Sequence, residues 1–227
     1  MTKPVVNILF APGTNSHKET QWMFERAGAR VELLLLRDVL NGDAQLDSGD
    51  ALCIPGGFSF GDHMGAGALE GKYLQLRLQD QLERVRSKPV LAICNGFQVA
   101  VRSGLFGEGI ALDVNESGTF CNIVRQPHVV DEHTNNVWFD GLQGKTLYFS
   151  CAHGEGRFTG KKTDAWEVAL RYPEGQNPDG SQDNIAGISS PNGLLLGLMD
   201  HPERLPDEPG VAEIFANGVK AAKSVTA

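Results

Sequence analysis

One cysteine of this chain stands where a nucleophile could be built. The stretch PVLAICNGFQVAV, residues 89–101, places Cys94 directly after a short apolar run and just before a glycine. The run predicts a strand and the residues after it a helix, so Cys94 would occupy a tight strand-to-helix turn, a nucleophile elbow. Such a turn requires small residues at positions −2 and +2, here Ala92 and Gly96. The helix start favours a thiolate and offers N–H groups to an oxyanion.

The other three cysteines lack this setting. Free cysteine is among the most buried residue types, so a place in the core is the ordinary expectation for each of them. Cys53 lies inside a predicted strand, and Cys121 and Cys151 lie in β-like runs with no helix start beside them. The absence of a C-x-x-C pair disfavours a disulfide framework or a zinc ribbon and fits free thiols in a reducing cytoplasm. We therefore predict that Cys94 is the nucleophile.

A thiol nucleophile needs a base, and the base needs an orienting group. Four of the six histidines have polar neighbours and are predicted to lie at the surface: His17, His63, His128 and His133. The other two, His153 and His201, each have a glutamate two positions further on, which extended backbone would place on the same side. A proline stiffens the His201–Glu203 pair and a glycine leaves the His153–Glu155 pair pliable. This difference mildly favours His201 over His153 as the base, and both pairs remain open. No metal site is predicted, since no H-E-x-x-H or paired Cys/His spacing occurs.

A glycine-rich loop, IPGGFSFGDHMGAG at 54–67, follows the third predicted strand. Backbone N–H groups of such loops can hold phosphate, but this one lacks G-K-[ST] and the dinucleotide-binding spacing. It leaves the same edge of the sheet as the elbow, and glycine lets the backbone approach a substrate closely. We predict that it supplies a second oxyanion donor, with a merely flexible turn as the alternative.

The elements that must position these residues alternate in the first half of the chain. Strands are predicted at 5–11, 30–36, 50–55 and 89–93, and helices at 18–27, 68–87 and 96–104. This alternation predicts an α/β fold with a flavodoxin-like, doubly wound, mostly parallel sheet. After Gly104, the runs TFCNIVRQ, TLYFSCA, AWEVALRY, NIAGIS and GLLLGLM predict an antiparallel, β-rich second half. A hairpin turn is predicted at 189–194 and a last helix at about 210–223. We expect residues 1–227 to form a single domain.

Composition excludes several classes of partner. The formal net charge is −8 and no basic stripe occurs, which argues against nucleic acid or an anionic membrane. The longest apolar runs, VELLLL and LLLGLM, are too short to span a bilayer. The first residues are typical of a strand rather than of a charged leader and hydrophobic segment. We expect a cytoplasmic protein with no nucleic-acid or membrane partner.

These motifs resemble a known family. A strand ending in PGG, a C-x-G-x-Q elbow and a late HPE are similar to the class I (triad) glutamine amidotransferases. Within that family, the ordered set PGTN, GGFSFGD, AGA, CNGFQ, NESGTF, AHGEGR, NPDGS, IAGI and HPER resembles the glutaminase subunits of phosphoribosylformylglycinamidine synthase, an enzyme of purine biosynthesis. The resemblance extends from about residue 7 to residue 205.

The resemblance implies roles for eight residues. It implies a catalytic triad of Cys94, His201 and Glu203. It implies an oxyanion hole from the backbone N–H groups of Gly57 and Asn95. It places three side chains against the glutamine: Gln98, Ser117 and Phe120. The AHGEGR segment would lie at the rim of the site or face a partner, with no assigned chemistry.

The resemblance also implies a reaction and partners. L-glutamine would be hydrolysed to glutamate and ammonia, and the ammonia would pass to a separate synthase subunit. That subunit would hold ATP and magnesium, a small adaptor subunit would complete the assembly, and no cofactor is expected on this chain.

Some positions depart from the family pattern, and some alternatives compete with it. Relatives often carry glycine, a larger basic residue, cysteine and proline where this chain has Ala92, Gly65, Ser16 and Asp200. One alternative is a glutaminase that serves another synthase. A second is a stress-response or deglycase protein with a similar sheet and an elbow cysteine, and a third is an inactive scaffolding subunit. The late HPE and the glutamine of CNGFQ count against the second.

Overall fold

A computed structural model describes residues 2–225, and its centre is a sheet of nine strands. The first strands are β1 (Val5–Phe10), β2 (Arg30–Leu35), β3 (Ala51–Ile54), β4 (Val90–Ile93), β5 (Ile110–Asp113) and β6 (Cys121–Val130). The later strands are β7 (Thr146–His153), β8 (Arg157–Gly160), β9 (Glu167–Arg171), β10 (Ile185–Ser189) and β11 (Leu195–Leu198). The α-helices are α1 (His17–Arg26), α2 (Leu36–Asn41), α3 (Ala68–Arg77), α4 (Gln79–Val85), α5 (Asn95–Arg102) and α6 (Val211–Val225).

The large sheet is parallel on one side and antiparallel on the other. Its strand order is β2-β1-β3-β4-β11-β10-β9-β6-β7. The pairs from β2 to β11 are parallel, and the pairs from β11 to β7 are antiparallel. The predicted α/β class, with a parallel first half and a β-rich antiparallel second half, is confirmed.

Burial explains why the short apolar runs became central strands. Every residue of β3, β4 and β11 is buried, as is the middle of β1. Strands covered on both faces have no polar side to alternate with, so they appear in sequence as continuous apolar runs. These strands contribute to one core cluster that spans the sheet.

Three predicted elements differ from the structure. The predicted helix at 68–87 is two helices, because the chain leaves helical geometry at Leu78, whose φ is −130°. The strand predicted at 30–36 ends one residue early, since Leu36 begins α2. The run GLLLGLM forms β11, which is antiparallel to β10 but parallel to β4, so a strand from the second half lies beside the elbow strand.

The second half also contains a small sheet that the sequence pattern did not predict. Strands β5 and β8 pair antiparallel, apart from the large sheet. The predicted hairpin at 189–194 is present and joins β10 to β11. Within the described residues, no helix has the length and apolarity needed to cross a membrane.

Candidate active site

The elbow at Cys94 has the backbone conformation that a strained strand-to-helix turn requires. Cys94 lies between β4 and α5, with φ 52° and ψ −113°. Residues other than glycine rarely adopt this backbone conformation. Its N–H donates to the Leu198 carbonyl at 2.9 Å, and its own carbonyl accepts from Phe97 and Gln98 at the start of α5. These bonds to β11 and α5 hold the strained residue in place.

The small neighbours of Cys94 are explained by close packing. Ala92 is fully buried and pairs with Gly197 of β11. A Cβ at Gly96 would collide with the Ile54 carbonyl oxygen at the end of β3. The elbow and the start of the glycine-rich loop therefore touch through backbone atoms.

This contact predicts a large effect of Gly96→Ala. The added methyl group cannot be accommodated without moving the backbone of the elbow or of β3, so we expect at least about 3 kcal/mol loss of stability or a displaced Cys94. Chemical denaturation measures the first effect and the rate of Cys94 alkylation the second. Gly104→Ala is the matched control, because a Cβ at this nearby glycine would meet no atom within 4 Å. The φ of Gly104 is +83°, so alanine there adds some backbone strain but no collision. A Gly96→Ala variant that matches wild type in both measurements would contradict this packing.

The two glycines of the PGG motif make room for different neighbours. A Cβ at Gly56 would lie 2.6 Å from Cε1 of His201, and one at Gly57 would lie 2.7 Å from the Gly13 carbonyl oxygen. Gly57 and Thr14 form an antiparallel bridge in which the flanking bonds run from Phe58 N–H to Gly13 and from Asn15 N–H to Gly56. In that geometry the Gly57 N–H points away from the 13–15 loop and is available on the other side.

His201 is fixed on a short irregular segment after β11. Its backbone exchanges two hydrogen bonds with Ser150 of β7, at 2.8 and 3.2 Å. Its Nδ1 lies 2.6 Å from Glu203 Oε1, and both side chains are buried. Its other ring nitrogen, Nε2, has no hydrogen-bond partner among the described residues. An imidazole with one nitrogen bound to a carboxylate and the other open is suited to move a proton at the open nitrogen.

The charges of Cys94 and His201 stabilise each other. Burial raises the pKa of the Cys94 thiol, but the positive charge of His201, aided by that of His153, brings the pKa below its ordinary value. Burial lowers the pKa of His201, and Glu203 together with Cys94 raises it to about 10. The two shifts favour a thiolate and an imidazolium over the neutral pair.

A cavity of about 260 Å³ opens onto Cys94, whose side chain is otherwise buried. The cavity is lined by residues of the elbow, the glycine-rich loop and two later segments: Gly57, Phe58, Asp62, Ala66, Cys94, Gln98, Phe120, Ala152, His153, Gly154 and Glu155. Cys94 therefore has an accessible reaction space, in contrast to Cys53, which is fully buried in β3.

The residues expected to bind substrate fall into two groups. Gln98 and Phe120 line the cavity. The Gln98 amide donates to the Glu155 carbonyl at 2.8 Å and accepts from the Asn95 side chain at 3.0 Å. Ser117 lies outside the cavity: its side chain is exposed, and its hydroxyl contacts Thr119 Oγ1 at 2.9 Å.

The Asn95 side chain has a structural task that sequence reasoning missed. Its Oδ1 accepts from the Ser59 N–H at 2.9 Å, and its Nδ2 approaches Asp62 Oδ1 at 3.3 Å. The Asn95 side chain thus holds the glycine-rich loop against the start of α5, directly after the nucleophile. The only sequence signal was its place next to Cys94.

The AHGEGR segment, 152–157, forms the wall opposite the elbow. The Cys94 thiol donates to the Ala152 carbonyl at 3.8 Å. The Glu155 carboxylate accepts from the Ala66 N–H at 3.1 Å. The ring of His153 fills the space that a side chain at Gly156 would need. This segment belongs to the site rim, and the predicted i, i+2 pairing of His153 with Glu155 is absent, because the two side chains have other partners.

Behind this wall lies a buried polar cluster centred on Asp200. One carboxylate oxygen, Oδ2, lies 2.8 Å from Nε2 of His128, and the other lies 3.0 Å from Nε2 of His153. The prediction of a surface position for His128 is wrong: it is fully buried. Gln126, His128 and Val130 are buried in alternation along β6, but two of these three residues are polar, so the sequence pattern gave no signal for the burial of His128.

One group of described residues has donor atoms close enough for a metal ion. Atoms of Cys151, His153 and Asp200 lie within 4.8 Å of one another. A metal would require the lone pair of His153 Nε2, whereas an ionised Asp200 carboxylate can only accept and therefore needs a proton on that nitrogen. The hydrogen-bond pattern therefore favours a charge cluster.

Gly65 and Ser16, two of the positions expected to depart from the family pattern, both have arginine neighbours. A Cβ at Gly65 would lie 3.1 Å from the Arg102 guanidinium, and Arg102 also donates to the Ala66 carbonyl at 2.8 Å. Arg102 thus occupies space beside Gly65 that a larger side chain at this position would need. The Ser16 hydroxyl accepts from Arg204 at 3.3 Å, which links the segment before α1 to the segment after Glu203.

Comparison with known proteins decides which family has this architecture. Residues 3–213 match the CobB/CobQ-like glutamine amidotransferase domain family. The chain belongs to this family. The predicted resemblance is confirmed by relatives named phosphoribosylformylglycinamidine synthase subunit PurQ. The protein of that name from Pyrobaculum aerophilum is 37% identical over 95% of this chain and 94% of its own length. The one from Dehalococcoides mccartyi is 32% identical over 99% and 100%.

Solved structures of amidotransferases share the fold. A chain in the structure of PurLQS from Thermotoga maritima has a TM-score of 0.81 and 28% identity, with all of both chains covered. A glutamine amidotransferase from the same organism has a TM-score of 0.58 and 16% identity over 89% of this chain and 77% of that one, which shows the fold alone. The amidotransferase described here is thus similar over its full length to one chain of the PurLQS structure.

Proposed function

We propose that this amidotransferase hydrolyses L-glutamine through Cys94, His201 and Glu203 and delivers the ammonia to a synthase subunit that makes formylglycinamidine ribonucleotide. The observation that carries the proposal is the electrostatic interaction of a strained elbow thiol with a buried imidazole whose Nδ1 lies 2.6 Å from a carboxylate. The matching relatives carry the name of a phosphoribosylformylglycinamidine synthase subunit, which supports the pathway.

The first half of the reaction follows from the charges of the site. The Cys94 thiolate attacks the carbonyl carbon of the glutamine side-chain amide, and the carbonyl electrons move to oxygen. The N–H groups of Gly57 and Asn95 would donate hydrogen bonds to this oxyanion, and a donor of this kind contributes about 3–4 kcal/mol. His201 then gives its Nε2 proton to the departing nitrogen, and the C–N bond breaks to release ammonia and leave a thioester.

The second half regenerates the thiolate. Neutral His201 takes a proton from water as the water attacks the thioester, and collapse of the intermediate releases glutamate. Glu203 keeps the ring oriented through Nδ1 in both halves, so that Nε2 is the only nitrogen that gains and loses the proton.

The cavity suits an amino acid substrate. Its volume of about 260 Å³ fits a small molecule, and its wall carries the carboxylates of Asp62 and Glu155, which are suited to a ligand with a positive α-ammonium group. Gln98 and Phe120 would contact the substrate, and Ser117 could do so only if its turn moved toward the cavity.

The partners are part of the proposal. We propose a complex with a synthase subunit, which binds ATP and magnesium, and with a small adaptor subunit, while this chain itself uses no cofactor. A cytoplasmic location fits its four free cysteines.

Reconstitution tests this function. The chain is mixed with its cognate synthase and adaptor subunits, ATP, magnesium and formylglycinamide ribonucleotide. We expect one glutamate and one formylglycinamidine ribonucleotide to form for each glutamine consumed. Asparagine is the control substrate. Product formation from ammonium but not from glutamine, with this chain present and folded, would contradict the proposal.

A further inference from the structure

His153 lies in the cavity wall, yet the reaction described above gives it no task. It is 2% exposed, and it directly follows Ala152, whose carbonyl oxygen lies 3.8 Å from the Cys94 sulfur. Its hydrogen-bond partners determine how many protons its ring carries.

One ring nitrogen of His153 faces an oxygen that can only accept. Nδ1 lies 3.4 Å from Oδ1 of Asn115. The orientation of this amide is fixed, because its Nδ2 donates to the carbonyls of Thr119 and His153 at 3.0 and 2.8 Å. The same Oδ1 also accepts from the Gly156 N–H at 3.0 Å. Nδ1 of His153 must therefore carry a proton.

The other ring nitrogen of His153 faces a carboxylate. Nε2 lies 3.0 Å from Oδ1 of Asp200 and 3.9 Å from Oδ2 of Asp179. It also lies 3.4 Å from Sγ of Cys151, whose own S–H donates to Sγ of Cys121, so that sulfur can accept from Nε2. Burial raises the pKa of Asp200, but the hydrogen bonds from His128 and His153 hold it well below its ordinary value, so this carboxyl group is ionised. A lone pair on Nε2 would meet a negative oxygen at that distance. Nε2 must carry a proton as well.

His128 shows the contrast within the same cluster. Its Nε2 lies 2.8 Å from the second oxygen of Asp200, and its Nδ1 has no partner among the described residues. His128 needs one ring proton to satisfy this environment, whereas His153 needs two.

We propose that His153 is a permanently cationic positioning residue, held charged by Asp200 and Asn115, whose charge stabilises the thiolate of Cys94. This rests on the proposed nucleophile. Both side chains are almost completely buried and line the same cavity, where charges are weakly screened. His201 changes its protonation during the reaction, whereas His153 keeps its charge throughout. Two features to which the family resemblance gave no role, the AHGEGR segment and Asp200, thus act together: Asp200 keeps His153 of that segment charged.

Other charged groups around His153 agree with this assignment. Burial lowers the pKa of His153, and Asp200, with smaller contributions from Cys94 and Asp179, raises it above its ordinary value. The groups that face its ring come from the elbow, β6, β7 and the segments before β10 and after β11: Cys94, His128, Cys151, Asp179 and Asp200. The two aspartates and the Cys94 thiolate are negative, whereas His128 with one ring proton and the buried Cys151 thiol are neutral, which favours a charged ring on His153.

The direct test is the protonation of the six histidine rings, measured by NMR on protein with ¹⁵N-labelled histidine. At pH 7 we expect both ring nitrogens of His153 to carry protons and His128 to carry one, at Nε2. In Cys94→Ser, His153 should keep both protons because its partners are unchanged. A His153 ring with a single proton at pH 7 would overturn the proposal, as would stoichiometric zinc in the purified protein bound through His153. These outcomes are independent of whether glutamine is the substrate.

A second measurement tests the effect on Cys94. The rate of Cys94 alkylation by iodoacetamide is followed against pH in His153→Gln and Asp200→Asn, with the exposed His133→Gln as the matched control. Loss of the charge raises the pKa of Cys94, so we expect both variants to shift the alkylation profile to higher pH and to react about three- to tenfold more slowly at pH 6. At high pH the three variants should converge on the wild-type rate. An unshifted profile in a folded His153→Gln protein would overturn the proposal. If that variant fails to fold, the alkylation profile of Asp200→Asn and the NMR measurement of the His153 ring on wild-type protein test the proposal instead.

Discussion

Cys94→Ser is expected to lower the glutamine-dependent activity of the assembled synthase by about 10⁴-fold or more. Serine is less acidic and less nucleophilic than a thiol whose pKa His201 and His153 already lower against the effect of burial. The substitution adds no bulk at the strained elbow, so the fold should remain intact. Steady-state assays with glutamine and with ammonium, on the same preparation, measure the effect.

The ammonium assay supplies the control for this variant. Ammonium-dependent synthesis should stay within about twofold of wild type, because free ammonia bypasses the thiol. Cys121→Ser is the matched cysteine variant and should keep glutamine-dependent activity, since Cys121 lies on β6 and outside the cavity lining. If Cys94→Ser keeps its glutamine-dependent activity, the nucleophile has been assigned to the wrong residue.

His201→Gln should have the second largest effect, a loss of about 10³–10⁴-fold in glutamine-dependent turnover. The variant removes both the proton carrier and the main charge that stabilises the thiolate. Without the charge of His201, the effect of burial outweighs the remaining interactions that lower the pKa of Cys94, and this pKa rises. The loss should therefore be accompanied by a shift of the Cys94 alkylation profile to higher pH, measured with iodoacetamide.

Turnover and the alkylation profile, measured together, distinguish a catalytic base from a residue that only supports the structure. A histidine that only supported the loop would change stability without moving the alkylation profile. His133→Gln is the surface control and should leave both readouts unchanged. An unshifted profile together with full turnover in His201→Gln would show that another group takes the proton.

The fold was predictable where the physics is local. Buried strands produce continuous apolar runs, so β1, β3 and β4 were visible in the sequence. The elbow was visible because a tight turn demands small residues on both sides of the nucleophile. The break at Leu78 was not, since the amphipathic pattern continues across it and only the backbone changes direction.

The choice between the two histidine–glutamate pairs shows what local reasoning lacks. Both have the same spacing, but β7 ends at His153, so its glutamate lies beyond the strand, where side chains no longer alternate. The partner of His153 is instead Asp200, 47 residues away in sequence. A contact of this kind depends on the position of β11 beside β4, which the order of the runs did not reveal.

The most direct test of the central claim is labelling by an electrophilic analogue of glutamine, followed by peptide mass spectrometry. The pKa of Cys94 is lowered mainly by His201 despite burial, whereas burial raises the pKa values of Cys53, Cys121 and Cys151. At pH 7 we expect one label per chain, on Cys94, and protection by excess glutamine. Labelling of another cysteine at a comparable rate, or an unlabelled Cys94 in the assembled complex, would contradict the account.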